Sequence, residues 1–473
     1  MEVKITKKDV VWGYLAQFFN IGANILLLPL ILHLLPSEVL GIWYIFLAIS
    51  GFALMLDFGF QPTFARNVTY LLSGATKLKA EGVDNEHEKL DHPNYGLLKD
   101  LIGTMKRFYG YISLVSLFLM LTVGTWFVDL KVNEIKDALV VHSDILIAWI
   151  VFCISTILGF FYSYYNALLN GRGMIKEYNQ MTIITKIVYL LFAAIGLLSG
   201  YGIIAVAVAN LISVIVNRVL AVYFFRRGEI LGQLKQTSKS GERLFPIIWF
   251  NAKKVGIGSV GSYFVQRGNV LFVSIFLPLD VVANFGLTSQ VMNILAALTP
   301  LYLTAHLPEI YRDRINQNFY EIRRIFAESV FVFIISYAAI AAVVLFGGNF
   351  LLDLLKSETR LIPFFPLLIY LIIQFLEINH GMAAQFITTR NEVPYVKASL
   401  VSGFCIAVLT LFFLSCTDLG VLGPILSAGL VQLAYNNWKW PSVVSKELKA
   451  SYPRLFVEGF GSLRQWFFRH FHS

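Results

Sequence analysis

The chain has 473 residues, of which 57% are hydrophobic and only 14% are charged, and its formal net charge is +9. A soluble domain carries roughly a quarter charged residues, so this composition excludes an ordinary soluble protein. Many runs of about 20 apolar residues are long enough to cross the hydrocarbon core as helices. The sequence therefore predicts an all-α, polytopic membrane protein.

Hydropathy along the chain predicts about twelve transmembrane helices. The predicted outward segments are short, whereas the inward segments 63–108 and 225–254 are longer and charged. Residues 79–89, within the first inward segment, are predicted to form a solvated loop. The approximate helix ranges are 10–33, 40–62, 109–128, 144–168, 179–199, 202–224, 255–277, 283–305, 329–347, 361–388, 395–415 and 419–437.

The distribution of basic residues predicts the orientation of these helices. When the N-terminus is placed inside, 31 of the 38 Lys and Arg residues fall in the termini and inward loops, and four fall in outward loops. This asymmetry follows the positive-inside rule and supports an even number of helices. Both the N-terminus and the C-terminus are therefore predicted to be cytoplasmic.

Two similar halves follow each other along the chain. In the first predicted helix, Tyr, Gln, Asn and Pro occur at positions 14, 17, 20 and 29, and the same types recur 249 residues later in the seventh helix. A looser match joins Arg172, after the fourth helix, to Arg390, after the tenth. The repeat predicts two pseudo-symmetric six-helix lobes in parallel orientation. They comprise residues 1–228 and residues 253–473 with a cytoplasmic tail, joined by a basic cytoplasmic linker at 229–252.

Polar side chains form one stripe on the first helix and another on the seventh. Spacings of three and four place Gln17, Asn20 and Asn24 on one face of the first helix, and Gln266 and Asn269 follow the same pattern on the seventh. Lipid cannot satisfy these groups, so both faces should look into protein or water. Two interpretations stay open, namely hydrogen bonds between helices and a polar cavity between the halves that binds substrate.

Ionisable side chains at membrane depth are costly and mark functional sites by default. Arg267 lies roughly 20 Å along its helix from the cytoplasmic end, and Glu377 lies at a similar depth with His380 one turn further. In one interpretation, Arg267 and Glu377 form a structural ion pair. In the other, Arg267 binds an anionic group such as phosphate, while Glu377 with His380 tunes that site or carries a proton.

Three further ionisable residues are predicted nearer the cytoplasmic ends of their helices. Lys186 and Arg218 lie one to two turns inside the fifth and sixth helices. They either snorkel to the surface or contribute to a cationic funnel that binds substrate. Asp57 is predicted to be a structural partner of Arg66 or of a backbone donor, and a role in coupling is the alternative.

Several kinds of functional motif are missing from the sequence. It contains no Walker motif, no nucleophile motif in a plausible context and no His/Cys cluster with metal-ligand spacing. We therefore expect no catalytic residues, no metal site, no cofactor and no nucleic-acid partner, and we expect that the protein is not an enzyme.

Residues 29–43, which contain Pro36 and Gly41, and the end of the second helix at 56–60 resemble the entry segment of one transporter family. These are the Wzx-type O-antigen or polysaccharide repeat-unit flippases of the multidrug/oligosaccharidyl-lipid/polysaccharide exporter superfamily. Residues 285–287 echo Gly41 in the second half. Helix number, topology and linker position resemble that family over nearly the whole chain.

The resemblance implies a V-shaped, two-lobed flippase that works by alternating access. Its substrate would be an undecaprenyl-diphosphate-linked oligosaccharide, such as the repeat unit of O-antigen (the polysaccharide of lipopolysaccharide) or of a related surface polysaccharide, moved from the cytoplasmic to the periplasmic leaflet of the bacterial inner (plasma) membrane. A cationic central cavity of this kind would suit Arg267, Lys186 and Arg218. The implied partners are the lipid-linked glycan, the lipid bilayer, a polysaccharide polymerase and a chain-length regulator.

Three other functions stay open at this point. The first is a cation-coupled multidrug or small-molecule antiporter of the same superfamily, which usually requires an acidic residue in the cavity of the first lobe. The second is a membrane-embedded glycosyl polymerase or transferase, which the short outward loops disfavour. The third is a scaffold for polysaccharide assembly, which the charges inside the membrane disfavour.

Overall fold

The computed structural model describes residues 7–57, 59–78, 90, 92–136, 140–227, 230–250, 252–253, 256, 263, 268–390 and 394–471. Chain contacts divide the protein into two compact units, which we call the first unit (Met1–Tyr263) and the second unit (Phe264–Ser473). The predicted lobe boundaries at residues 228 and 252 stay predictions. The predicted solvated loop at 79–89 lies outside the described residues.

Helices dominate both units. Those of the first unit are α1 (Lys7–Leu34), α2 (Ser37–Met55), α3 (Phe60–Leu72), α4 (Tyr95–Leu119), α5 (Thr125–Val132), α6 (His142–Phe161), α7 (Tyr164–Gly171), α8 (Ile175–Leu198), α9 (Gly202–Arg226) and α10 (Ile230–Gln236). Those of the second unit are α11 (Gly268–Phe276), α12 (Leu279–Leu298), α13 (Leu301–Ile315), α14 (Phe319–Ala342), α15 (Gly348–Leu354), α16 (Phe364–Thr388), α17 (Val396–Cys416), α18 (Leu422–Ala434), α19 (Asn436–Glu447) and α20 (Tyr452–Phe471).

The predicted all-α, polytopic membrane fold is confirmed. Within the described part of the chain, nine helices are long and apolar enough to cross a membrane, and Ser37–Ala53 is a shorter apolar helix. These ten account for ten of the twelve predicted spans. Of the other two, the span predicted at 255–277 falls largely outside the described residues. The span predicted at 419–437 is divided between α18 and α19, because the backbone departs from helical geometry at Tyr435.

The second predicted span was wrong at its C-terminal end, because it continued through a break. Helix α2 ends at Met55, and Gly59 adopts the left-handed conformation with φ of 66° before α3 begins. That conformation carries little steric cost for glycine. The Asp57 carboxylate then accepts from the Gln61 backbone N–H at 3.4 Å, which satisfies one of the unpaired donors in the first turn of α3. A hydropathy average does not detect such a break.

The third predicted span was wrong at its N-terminal end. Helix α4 begins at Tyr95, fourteen residues before the predicted start at 109, with Asn94 as its N-cap. The Asn94 side chain accepts from the Leu97 backbone N–H at 3.1 Å. The first turns of α4 contain Lys99 and Asp100, so the helix projects beyond its apolar stretch. Much of the predicted inward loop at 63–108 is therefore helical.

The predicted linker is packed against the first unit. Leu234, Leu244 and Ile248 are buried in the same apolar core as residues of α3 and α4. Asp100 of α4 accepts from the Ser240 hydroxyl at 2.6 Å and from the Gly241 backbone N–H at 2.8 Å. Residues 230–248 thus belong structurally to the first unit rather than forming a free connection.

The two units repeat the same helix order. Helix α4 passes through a single π-helical turn at Met120–Gly124 into α5, and α14 passes through a π-helical turn at Val343–Gly347 into α15. Asn318 caps α14 in the same way that Asn94 caps α4, since its side chain accepts from the Glu321 backbone N–H at 3.4 Å. The two units therefore share π-helical turns and asparagine N-caps in addition to the repeated sequence motifs.

The looser sequence match between Arg172 and Arg390 also marks equivalent positions. Arg172 donates to the Phe225 carbonyl at 2.8 Å, at the C-terminus of α9. Arg390 forms an ion pair with Glu447, the last residue of α19. Each arginine therefore joins the end of one membrane helix to the end of another within its own unit.

Candidate functional site

Two cations lie at the same level inside the first unit. Lys186 belongs to α8 and Arg218 to α9, and these helices pack side by side. The Asn217 side-chain amide donates to the Thr185 hydroxyl at 3.2 Å. Thr185 directly precedes Lys186, and Asn217 directly precedes Arg218, so this hydrogen bond places the two cations at a similar level. We call the layer that contains Lys186 and Arg218 the cation layer.

The helix bounds give the position of each cation within its own helix. Because α8 begins at Ile175, Lys186 lies eleven residues into it, or about 16 Å along the axis at 1.5 Å per residue. Arg218 lies eight residues before Arg226 at the end of α9, or about 12 Å. Arg218 therefore lies about two turns from its helix end, within the predicted range, and Lys186 about three turns from its helix end, one turn more than predicted.

The guanidinium of Arg218 is incompletely paired. Its Nη1 atom donates to the Asn166 side-chain oxygen at 3.1 Å, whereas its Nε atom is buried without a hydrogen bond. Among the described residues, no acidic side chain lies within ion-pair distance of Arg218. An uncompensated cation at membrane depth is costly, so its retention indicates an anionic ligand or an anionic environment.

Lys186 is the second cation of this layer, and it is half-buried. Its ammonium group makes no hydrogen bond or ion pair with any residue that the structure describes. An ammonium is a compact charge with three donors and adapts to differently placed acceptors. Together, Lys186 and Arg218 provide two positive charges for which the described residues of the first unit supply no ion-pair partner.

The polar residues of α1 reach this layer. An added Cβ on Gly13 would lie 3.6 Å from the Asn179 amide nitrogen, which shows that α1 and α8 touch at that level. The predicted topology sends both helices outward from the same surface, so seven residues further Asn20 stands level with Lys186. Gln17 and Asn20 are exposed, while the Asn24 side chain lies outside the described part of the structure.

The structure resolves the two predictions for Asp57 in favour of a backbone donor. Besides the Gln61 amide, its carboxylate accepts from the Tyr109 hydroxyl at 2.6 Å. Arg66 is exposed and forms no ion pair with Asp57, so that predicted pair was wrong. The described partners of the Asp57 carboxylate are thus a backbone N–H and a neutral hydroxyl.

In the second unit, Asn269 takes part in a bond between helices. Its side-chain oxygen accepts from the Thr410 hydroxyl at 3.4 Å, which joins α11 to α17. This contact supports the structural interpretation for Asn269. Gln266 and Arg267 lie outside the described residues, so their predicted roles stay predictions.

A buried carboxyl forms the centre of a polar cluster in the second unit, which we call the Glu377 cluster. Glu377 accepts from the Gln432 side-chain amide at 3.1 Å, and its other oxygen is buried without a hydrogen bond. His380 lies 3.8 Å from that oxygen. The His380 Nδ1 atom is 2.7 Å from the Asn437 side-chain oxygen, which accepts a hydrogen bond in the tautomer that carries its hydrogen on Nδ1.

The Glu377 cluster lies at the break between α18 and α19. The Asn436 side-chain amide donates to the Gln432 side-chain oxygen at 2.6 Å and to the Ser402 hydroxyl at 2.9 Å. The Trp440 indole in turn donates to Asn436 at 2.8 Å. Side chains on both sides of the break therefore surround the carboxyl with amide groups. His380 is the nearest titratable partner that the described residues supply.

Sequence reasoning missed the neutral members of both sites. Asn166 and Tyr109 in the first unit, and Gln432, Asn436 and Asn437 in the second, were not predicted. For the second unit a signal existed, since Gln432 and Asn436 are four residues apart in an apolar run. In the described part of the chain, no group of three or more His, Cys, Asp or Glu side chains could hold a metal ion.

Comparison with known proteins identifies the fold. No protein-family model matches the sequence, and no curated protein matches it. Solved structures do match. An inward-facing multidrug resistance MATE family transporter of the MOP superfamily has a TM-score of 0.67 and 12% sequence identity, and the match covers 92% of this chain and 95% of that one.

Two further structures show the same fold. A MATE transporter from Vibrio cholerae has a TM-score of 0.51 and 16% identity, with 95% of this chain and 96% of that one covered. A MOP superfamily transporter from Pyrococcus furiosus, whose binding pocket has a reversed polarity that suggests a different function, has a TM-score of 0.55 and 13% identity. That match covers 95% of this chain and all of the Pyrococcus chain. The protein therefore has the fold of MATE transporters of the MOP superfamily.

Proposed function

We propose that the protein is a transporter of an anionic lipid-linked substrate, and that this substrate is an undecaprenyl-diphosphate-linked oligosaccharide. The proposed step is translocation from the cytoplasmic to the periplasmic leaflet of the bacterial inner membrane by alternating access. The observation that carries the proposal is the cation layer, in which Lys186 and Arg218 have no acidic ion-pair partner among the described residues.

The chemistry of a diphosphate complements this layer. The planar guanidinium of Arg218 presents donors in a fork that matches two phosphate oxygens, and its Nε donor has no hydrogen-bond partner. Lys186 would neutralise a second phosphate as a point charge. Asn20, level with Lys186, and Gln17, about one turn before it on α1, are suited to hydrogen-bond sugar hydroxyls. A diphosphate cannot cross bare hydrocarbon, so such a path is required for translocation.

The lipid part of the substrate needs no polar site. A polyprenyl tail is as apolar as the membrane interior, so it can remain in the bilayer while the headgroup crosses. The predicted anion-binding role of Arg267 is retained in this proposal as a third cation. A polysaccharide polymerase and a chain-length regulator are the proposed protein partners, because they would act on the translocated repeat unit.

The proposal is tested in a strain that lacks the protein and is complemented with variants. We expect Arg218→Ala and Lys186→Ala each to reduce surface polysaccharide at least about tenfold, since a charge-assisted hydrogen bond contributes roughly 1.5–3 kcal/mol. Arg218→Lys should restore part of the activity because it keeps the charge. Purified protein in liposomes with a fluorescent lipid-linked oligosaccharide should show the same order of translocation rates.

Arg226→Ala is the matched control, since Arg226 lies in the same helix as Arg218 but is exposed at its end. It should leave translocation unchanged, and membrane protein level is measured for every variant. Full translocation by the Arg218→Ala, Lys186→Ala double variant at normal protein level would show that the cation layer does not bind the substrate. Arg267→Ala, tested in parallel, measures the third cation separately.

A second candidate function is a cation-coupled multidrug antiporter, which fits the structural comparisons equally well. The observation that favours it is Glu377, a buried carboxyl with only amides and His380 as described partners. An antiporter needs an acidic group to exchange a proton or metal cation, and in this candidate Glu377 of the second unit would supply it in place of an acidic residue of the first lobe. Resistance to cationic drugs on overexpression, lost in Glu377→Gln and kept in Arg218→Ala, would support the antiporter over the flippase.

A further inference from the structure

A break between α6 and α7 brings Asn166 to Arg218. Helix α6 ends at Phe161, and Tyr162 departs from helical geometry with φ of −92° and ψ of 5° before α7 begins at Tyr164. Asn166 lies in the first turn of α7, a helix that packs against α9. Its side-chain oxygen accepts from Arg218 Nη1 at 3.1 Å. The break therefore places a neutral acceptor, rather than a carboxylate, against the cation.

Gly159 of α6 lies beside the same guanidinium. The Asn210 side-chain amide donates to the Ser155 hydroxyl at 2.9 Å, which fixes the register between α6 and α9. Four residues further along both helices, an added Cβ on Gly159 would lie 3.7 Å from Val214 Cγ1 and 3.9 Å from Arg218 Nη2. These are ordinary van der Waals distances, so a methyl group would fit beside Nη2 in the space that glycine leaves.

The three nitrogens of the Arg218 guanidinium are used unequally. Nη1 donates to Asn166, while Nε is buried without a hydrogen bond and Nη2 makes no hydrogen bond with any described residue. Nε and Nη2 form an edge of the guanidinium that binds two oxygens of one group at once. The second unit contains an example, since Arg323 donates through Nε and Nη2 to the two carboxylate oxygens of Glu458. The same edge of Arg218 has no acceptor among the described residues.

A neutral partner orients the guanidinium without cancelling its charge. A carboxylate at the position of Asn166 would form an ion pair with Arg218 and neutralise it. An amide oxygen accepts one hydrogen bond and leaves the positive charge to a ligand. A buried donor without a partner is costly, so the Nε atom favours the binding of an acceptor from outside the protein.

We propose that Asn166 and Gly159 make Arg218 a bidentate site for one phosphoryl group. Asn166 is a positioning residue that holds Nη1, and Gly159 leaves the space in which one phosphoryl oxygen meets Nη2 while a second oxygen accepts from Nε. A tetrahedral phosphoryl group offers two oxygens to the planar fork, which a spherical anion such as chloride does not. This inference rests on the proposed function, because the phosphoryl group belongs to the diphosphate of the same substrate.

Two substitutions of Asn166 separate this role from a purely structural one. Asn166→Asp keeps the size and the acceptor but adds an internal negative charge that competes with the substrate. We expect it to reduce translocation of a fluorescent lipid-linked oligosaccharide in liposomes at least about tenfold, and Asn166→Ala to reduce it less, because alanine leaves the charge of Arg218 available. The melting temperature in detergent should show the reverse order, with Asn166→Ala the less stable variant. A structural role alone predicts that translocation follows stability.

Gly159→Ala tests the space beside Nη2. The added methyl group fits and alanine favours a helix, so we expect an unchanged or higher melting temperature. Translocation should nevertheless fall at least about fivefold, because a small displacement of a bound group from its productive position is costly. Gly110→Ala is the matched control, since its added Cβ would lie 3.7 Å from Phe161 Cε2 and near no cation. It should leave translocation unchanged.

Binding is measured with inorganic pyrophosphate as the probe, on the full chain in detergent. At constant ionic strength, pyrophosphate should raise the melting temperature of the wild type and of Gly110→Ala, whereas chloride should not, since only a ligand that binds the folded protein stabilises it. The rise should be absent in Asn166→Asp and in Arg218→Ala. An equal rise in Asn166→Asp, or no rise in the wild type, would overturn the proposal.

Two outcomes separate this inference from the proposed function. Loss of translocation in Arg218→Ala, with full translocation in both Asn166→Asp and Gly159→Ala, would overturn the roles of these two residues and leave the proposed function standing. Full translocation by the Arg218→Ala, Lys186→Ala double variant would overturn both.

Discussion

The two units join equivalent helices with different chemistry. In the first unit, the Thr69 hydroxyl of α3 donates to the Gly171 carbonyl at 2.9 Å, so α3 and α7 are in close backbone contact. In the second unit, Thr389 stands at the corresponding place after α16, and Arg314 of α13 donates to its hydroxyl. A glycine allows close approach, whereas an arginine spans a wider gap. The repeat therefore preserves which helices meet and not how they are joined.

The same difference extends to charge. Arg172 uses neutral carbonyl acceptors in the first unit, whereas Arg390 and Arg314 share the carboxylate of Glu447 in the second. Deeper in the membrane, the first unit holds the uncompensated Arg218 and the second unit holds the buried Glu377. Two halves with one helix order thus hold ionisable groups of opposite kinds, a guanidinium and a carboxyl, and each unit has to be tested for its own chemistry.

The largest loss of stability is expected from a substitution at the close contact between α3 and α7 in the first unit. In Gly171→Ala the new Cβ would lie 2.5 Å from the Val68 Cβ and 2.6 Å from the Ala65 carbonyl oxygen. We expect a loss of about 2–3 kcal/mol in the free energy of unfolding, measured by thermal unfolding in detergent. Gly103→Ala is the control, because no atom lies within 4 Å of its added Cβ and alanine favours a helix. Equal stability of the two variants would contradict the close packing.

A smaller loss in the free energy of unfolding is expected when either of the two arginines that join helix ends is replaced. Arg172→Ala should cost about 2 kcal/mol, because it removes hydrogen bonds from a charged donor to backbone carbonyls. Arg390→Ala should cost about 1 kcal/mol, because Glu447 keeps Arg314 as a partner. Added salt should weaken the wild-type contribution of Arg390 more than that of Arg172, since it screens an ion pair at the edge of the membrane. The salt dependence of the melting temperature of each variant measures this.

The smallest effect concerns the attachment of α20. Hydrogen bonds from Arg323 hold the pKa of the Glu458 carboxyl below its usual range. A lowered carboxyl pKa stabilises the attachment at neutral pH, and this contribution disappears as the pH falls below about 4.3, the ordinary glutamate value. Because the pair is partly exposed, we expect less than about 1 kcal/mol. The protection factors of residues 452–465 against hydrogen exchange, corrected for the intrinsic pH dependence of amide exchange, should fall on acidification in the wild type and stay constant in Glu458→Gln.

The sequence predicted the membrane helices well and their ends poorly. Apolar runs fix where a helix can cross a bilayer, and ten predicted spans coincide with helices in the described residues. Helix ends depend on caps and local breaks, such as Asn94 before α4 and Gly59 before α3, which contribute little to a hydropathy average. The break at Tyr435 was missed for a related reason, since side chains of other helices stabilise it.

The candidate sites were predicted in part. Charged residues in apolar runs are conspicuous, so Lys186, Arg218 and Glu377 were identified from the sequence alone. Their neutral partners were not, because Asn166 and Gln432 reach them only through tertiary packing. The Tyr109 partner of Asp57 was missed for the same reason, since Tyr109 is 52 residues away in the chain. A single sequence shows which residues are unusual in a membrane but not which of them meet.

The two π-helical turns, Met120–Gly124 and Val343–Gly347, extend the internal repeat from the sequence to the backbone. Such turns are rare and occur mostly as single turns inside α-helices. In the first unit the π turn joins α4 to α5, and in the second unit it joins α14 to α15. The two units therefore share a local departure from α-helical geometry, so a variant that removes one π turn has an equivalent in the other unit against which its effect can be measured.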